Sequence, residues 1–232
     1  MQQERGTVVL VHGLGRTRWS MAPLAWAARR RGYAVVNWGY RSRRGTVAMH
    51  AAGLADRLAQ LAAQGVGPVH LVTHSLGGIV VRASLELPAA SAWRHRLGRI
   101  VMLAPPNQGS ELADRLRAWR VTRRVLGPAF LALGTGPESV ARQLGALPAG
   151  IEVGVVAGTR NWNPLFGRWM PRPHDGKVSV ASTRLAGMTD FSAVARGHTF
   201  LMLAPDVHAR IFAFLAHGRF MPDRPRPDPS PP

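Results

Sequence analysis

Six short apolar runs alternate with helical stretches along this chain, and that alternation restricts the fold more than any other feature. The runs are Thr7–Val11, Ala34–Trp38, Val69–Thr73, Arg99–Leu103, Glu152–Ala157 and Phe191–Ala195. Most are β-branched and continuous rather than alternating, as strands covered on both faces are. Between and after them, Ser20–Arg31, Ala51–Gln64, Leu76–Leu87 and Pro205–His217 place apolar residues at helical spacing. Gly32, Pro88 and Gly218 supply the stops. The repetition predicts an α/β fold: a mostly parallel sheet of about six strands with helices on both faces.

The 232 residues suit one domain, here drawn as 1–220. Residues 105–150 exceed a minimal crossover and are expected to form a small helical insertion between strands four and five, placed like a cap or lid. Helices are predicted near Glu111–Leu126 and Glu138–Leu144. A second long loop, 159–174, is rich in aromatic residues. Connections of this length are usually functional, and in open α/β sheets ligands sit beyond the carboxyl ends of the strands. The tail 221–232 holds six prolines in 12 residues and is expected to be extended and disordered.

Charge is the compositional oddity. Thirty Lys and Arg face 12 Asp and Glu, a net charge of +18, and Lys177 is the sole lysine. The arginines are dispersed, with no aromatic-interleaved basic motif, so no dedicated nucleic-acid role is expected. The chain has no cysteine, which excludes a thiol nucleophile and thiolate metal sites. No signal-like leader and no run of about 18 apolar residues is seen, and the expectation is a cytoplasmic protein without a membrane span.

The stretch Val69-His70-Leu71-Val72-Thr73-His74-Ser75-Leu76-Gly77-Gly78-Ile79-Val80 carries the chemistry. A buried strand runs into a serine, then small residues, then a helix. A sharp strand-to-helix turn strains the central backbone and pushes that side chain into the open. Small neighbours are needed because other chain segments pass close by. The serine then sits at a helix N-terminus, which favours developing negative charge. A lone Ser-x-Gly would read as a helix cap; the full ordered set reads as a nucleophile. Thr73 departs from the usual Gly at the first small position.

From Thr7 to about Gly218 the chain resembles the α/β-hydrolase fold family, and most closely its compact bacterial lipases and esterases. Val8-Val9-Leu10-Val11-His12-Gly13-Leu14-Gly15 is similar to the family's His-Gly segment after the first core strand. The resemblance implies that the backbone N–H groups of Leu14 and Leu76 form the oxyanion hole. It also implies the order nucleophile, acid, base. Of the histidines after Ser75, His198 follows the last strand, at the carboxyl edge. Of the few acids, Asp175 follows the fifth strand and its loop. The triad implied is Ser75, Asp175 and His198. No metal and no cofactor are expected, and His74 is a poor base because it leaves the strand on a different side from Ser75.

Trp162, Phe166, Trp169 and Met170 precede the acid and are expected near the acyl site. Trp119, Phe130 and Leu131 of the insertion add to them. These favour a small-molecule or lipid ester with an apolar acyl group. The basic stretch with Arg115, Arg117, Arg120, Arg123 and Arg124 suggests peripheral contact with an anionic membrane. Acyl-thioester hydrolysis or acyl transfer on the same triad is the alternative chemistry, and a non-catalytic basic binding protein on this scaffold is a third reading. Oligomeric state is not legible.

Overall fold

The computed structural model describes residues 5–65, 67–161 and 167–220. The tail 221–232, Trp162 and Phe166 lie outside the described residues. Six strands, β1 Thr7–Val11, β2 Ala34–Trp38, β3 Val69–His74, β4 Leu97–Leu103, β5 Val153–Gly158 and β6 Asp190–Val194, form one sheet in the order β2-β1-β3-β4-β5-β6. Every pairing is parallel. The longer helices are α1 Ala22–Arg29, α2 Val47–Ala63, α3 Leu76–Glu86, α4 Glu111–Leu116, α5 Arg120–Leu126 and α6 Pro205–His217. The strand order reverses direction between β1 and β3. The crevice beyond their carboxyl ends is where an open parallel sheet offers a ligand site.

Alternate residues of each inner strand feed two separate cores. Val9, Leu71, Ile100 and Met102 pack with Leu54 and Leu58 of α2 and Ile79 of α3. Val8, Val72, Val101 and Leu103 pack on the other face with Leu24 of α1 and with Ile211 and Phe214 of α6. Both faces of the inner strands are therefore apolar, which explains their uninterrupted hydrophobic sequence. The two outer strands, β2 and β6, are only half-buried and tolerate Asn37 and Ser192. Thr46 caps α2 by accepting from the Met49 N–H at 3.2 Å. Gly218 closes α6 with a left-handed φ of 74°.

The insertion differs from its expected single helix over Glu111–Leu126. It breaks at Arg117–Trp119 into α4 and α5, and the later helix shortens to Val140–Gln143. In one straight helix Leu116 and Leu126 would stand about 15 Å apart along the axis. The break lets both reach one cavity. Gly127, with φ 78°, follows directly; a Cβ there would collide with the Arg43 carbonyl.

Arg82, buried in α3, clasps both ends of this insertion. Its guanidinium donates to the carbonyls of Asn107 at 3.0 Å, Ala141 at 3.3 Å, Leu144 at 2.9 Å and Gly145 at 3.3 Å. The Gly145 N–H donates in turn to Glu86 at 2.6 Å. Replacing Arg82 by Leu leaves these carbonyls without their donor in a dry site. The expected cost is about 3 kcal/mol, a Tm loss of roughly 6–12 °C by calorimetry. An unchanged Tm would show that the insertion is not anchored through Arg82.

Candidate active site

Ser75 stands between His74, the last residue of β3, and α3, with φ 53° and ψ −123°. A positive φ is uncommon for a residue bearing a Cβ. Three glycines allow it. A Cβ on Gly77 would stand 2.5 Å from the Val11 carbonyl oxygen, and one on Gly78 would stand 2.9 Å from the Pro105 Cβ. A Cβ on Gly13 would stand 3.0 Å from the Ser75 Cβ, so the His-Gly turn runs directly alongside the serine. The Ser75 N–H donates to Leu103 at 2.8 Å, tying the elbow to β4. From Val69 to Arg82, Ser75 is the one residue that is not buried.

The His-Gly turn is locked by its own hydrogen bonds. His12 is fully buried; its Nδ1–H donates to Gly13 at 2.9 Å and its Nε2 accepts from the Tyr40 N–H at 3.3 Å. The Tyr40 hydroxyl donates to the His12 carbonyl at 2.9 Å, and the rings stack at 4.4 Å. Burial pushes the Tyr40 phenol well above its ordinary range, so it stays a donor. Leu14 follows, and its N–H has no hydrogen-bond partner among the described residues. Leu76 opens α3, so its N–H has no intrahelical acceptor. Leu14 lines one cavity with Ser75, and Leu76 follows Ser75 directly.

Asp175 and His198 meet at the same edge. His198 Nδ1 lies 2.7 Å from Asp175 Oδ2, and both side chains are buried. The other carboxylate oxygen accepts from the N–H groups of Lys177 at 2.9 Å and Val178 at 2.8 Å. The His198 N–H donates to the Asp175 carbonyl at 3.0 Å. With Nδ1–H directed at Asp175, Nε2 is the free nitrogen, and His198 and Ser75 line one cavity. His74 is not a base: its Nε2–H donates to the His198 carbonyl at 3.1 Å, and the rings lie 4.8 Å apart. Burial first, and then His198, holds His74 well below its ordinary value.

The cavity has a volume of about 260 Å³. Its far walls are Leu112, Leu116, Leu126, Phe130 and Leu133 of the insertion, and Arg16 and Lys177 stand beside Ser75 and His198. Lys177 is an exposed residue, yet its ammonium is pushed down, by desolvation first and then by Arg16, with Asp175 opposing. Of the residues expected around the acyl group, Phe130 is on the wall. Trp169 and Met170 are not; Met170 is buried elsewhere and Trp119 is exposed. Trp162 and Phe166 lie outside the described residues. The leucines were missed, although Leu112 and Leu116 are spaced i, i+4 and so share a helix face. Arg16 and Lys177 come from separate loops and left no sequence signal. Among the described residues, no group of three or more His, Asp or Glu is arranged to hold a metal ion.

A family model described as a domain of unknown function, DUF7379, matches residues 1–157. Among solved structures, the mature lipase BlEst2 of Bacillus licheniformis matches with a TM-score of 0.74 at 22% identity, over 94% of this chain and 93% of that one. This chain spans 50% of the propeptide form of that lipase. Phospholipase PlaB from Legionella pneumophila matches with a TM-score of 0.61 at 18% identity, over 83% of this chain and 53% of that one. The metagenomic carboxyl esterase MGS0156 matches with a TM-score of 0.65 at 21% identity, over 87% of this chain and 67% of that one. At these identities the likeness is one of fold, the α/β-hydrolase fold. No curated protein sequence matches significantly.

Four buried histidines give the fold a pH dependence. His12, His50, His70 and His74 are all held below 6.5, chiefly by desolvation. His12 and His70 also use a ring nitrogen as acceptor, His70 from the Arg99 N–H at 2.9 Å. Below pH 6.5 the unfolded chain binds protons that the folded chain resists. Their stabilising contribution is therefore complete above 6.5 and falls as pH drops, by at most about 1.4 kcal/mol per histidine per pH unit. Thermal melts should show a flat Tm from pH 8 to 7 and a declining one from 6.5 to 5. A shallower decline is expected in His74→Gln. A Tm that does not move between pH 7 and 5 would contradict this.

Proposed function

From a chain that belongs to the DUF7379 family and has the α/β-hydrolase fold, we propose a serine carboxylic-ester hydrolase acting on apolar acyl esters. One observation carries the proposal. A serine on a strained elbow and a histidine oriented by a buried carboxylate open onto the same apolar cavity.

In this reading Ser75 Oγ attacks the ester carbonyl carbon while His198 Nε2 takes its proton. Asp175 keeps the proton of Nδ1 in place and stabilises the imidazolium. The N–H groups of Leu14 and Leu76 receive the oxyanion. Collapse of the tetrahedral intermediate breaks the bond to the leaving alcohol, which takes the proton from His198. Water, deprotonated by His198, then attacks the acyl-serine; the bond from the acyl carbon to Ser75 Oγ breaks, Oγ takes the proton back from His198, and the carboxylic acid leaves. The insertion, about residues 105–150, serves as the cover of the acyl site. Its leucines and Phe130 accept the hydrocarbon, and medium-chain or lipid-like esters fit that wall best.

The test is turnover of a p-nitrophenyl ester series from acetate to palmitate. Ser75→Ala should lose about 10⁴–10⁶ in kcat. Asp175→Asn should lose about 10⁴ with a folded structure, because the histidine tautomer is no longer fixed. Unchanged turnover in Ser75→Ala would end the proposal. A wild-type chain that cleaves acyl thioesters but no oxygen ester would reassign the chemistry and leave the triad standing.

A further inference from the structure

Three separate segments bring a large apolar side chain into solvent close to the cavity mouth. Arg16 lines the cavity, and three residues later Trp19 is 71% exposed. His198 lines it, and two residues later Phe200 is 58% exposed. Leu116 and Leu126 line it, and between them Trp119 and Val121 are 60% and 74% exposed. The first two segments are neighbours, as the Arg16 guanidinium reaches the Thr199 carbonyl at 3.5 Å. All three leave the carboxyl edge of the sheet. On α5 the division is sharp: Leu126 faces the cavity while Val121 and Val125 face outward.

The charge around these side chains is mainly positive. The guanidinium of Arg18 lies over the Trp19 ring at 5.2 Å. Arg16, Arg115, Arg120 and Arg124 form no ion pair among the described residues. The nearby acids Asp114 and Glu138 are bound to Arg117. Exposed Trp and Phe interleaved with arginine suit the boundary between headgroups and hydrocarbon, where an aromatic ring has an apolar body to bury and an arginine has a phosphate to meet. A second copy of the chain would set arginine against arginine. A nucleic acid would match the charge and leave outward aliphatic side chains such as Val121 and Val125 without a hydrocarbon phase.

We propose that this face, from Trp19 across Phe200 to Trp119 and Val121, docks on an anionic lipid bilayer and sets the cavity mouth against the membrane. The attachment is peripheral: no helix among the described residues is long and apolar enough to cross a membrane.

The test uses the full chain with unilamellar vesicles of phosphatidylcholine alone or mixed with phosphatidylglycerol. Co-sedimentation is expected with the anionic vesicles only, with a blue shift of tryptophan emission and at least a tenfold loss of binding in 0.5 M salt. A Trp19→Ser, Trp119→Ser, Val121→Ser triple variant should bind at least tenfold more weakly. These side chains are exposed and outside the cavity, so its far-UV circular dichroism and Tm should match the parent and report correct folding. Equal binding to both vesicle types, no binding to either, or unaltered binding by the triple variant would each overturn the proposal. So would a parent dimer that the triple variant converts to monomer, which would give the face to a second copy. Binding is read without turnover, so the result stands apart from the esterase reading.

Discussion

A left-handed backbone at Ser75 costs of order 1–3 kcal/mol, and the surroundings must hold it there. They do so by close approach. Gly13, Gly77 and Gly78 remove the side chains that would stand between the elbow and the β1 turn, the Val11 carbonyl and Pro105. The Ser75 N–H is bonded to β4 rather than left to solvent. The same crowding brings the turn after β1 to the site, where Leu14 lines one cavity with Ser75. The parallel sheet supplies the rigid frame: β1, β3 and β4 end together, and each end contributes to the elbow.

Support for the site is layered. Asp175 is held by two backbone N–H groups and holds His198 by ring and backbone alike. His74, one residue before the serine, holds the His198 carbonyl from below. Burial keeps His74 neutral, so it donates one hydrogen bond and adds no charge beside His198. On the other side of the cavity, Arg82 ties the start and end of the insertion to α3, the helix that Ser75 precedes. The cavity wall and the elbow therefore share α3 as a common support.

Most of the frame was legible in the sequence. Thr7–Val11, Ala34–Trp38 and Pro205–His217 lie where their patterns put them, because those elements bury continuous or strictly periodic apolar faces and end at clear stop signals. The resemblance named Ser75, Asp175 and His198 together; the structure brings Asp175 within 2.7 Å of His198 and sets His198 and Ser75 on one cavity, and the triad they would form belongs to the proposed function. The insertion was not legible. Periodicity says that Glu111–Leu126 can be helical; it does not say where the helix must bend so that Leu116 and Leu126 converge, which depends on the Gly127–Arg43 contact and on Arg82. The cavity wall followed the insertion: expectation named Phe130 there but not Leu112, Leu116, Leu126 and Leu133 beside it.

The +18 charge has a place in this picture without defining the class of the protein. Asp175 is paired with His198, Asp114 and Glu138 of the insertion with Arg117, and Glu111 with the Ser179 hydroxyl. Arg16, Arg115, Arg120 and Arg124 form no ion pair among the described residues. The central claim concerns chemistry rather than charge, and one measurement reaches it directly. The folded chain is treated with a fluorophosphonate, and the modified residue is located by mass spectrometry. The account predicts a single stoichiometric adduct on Ser75 that is abolished in His198→Ala; labelling at another residue, or none, would contradict it.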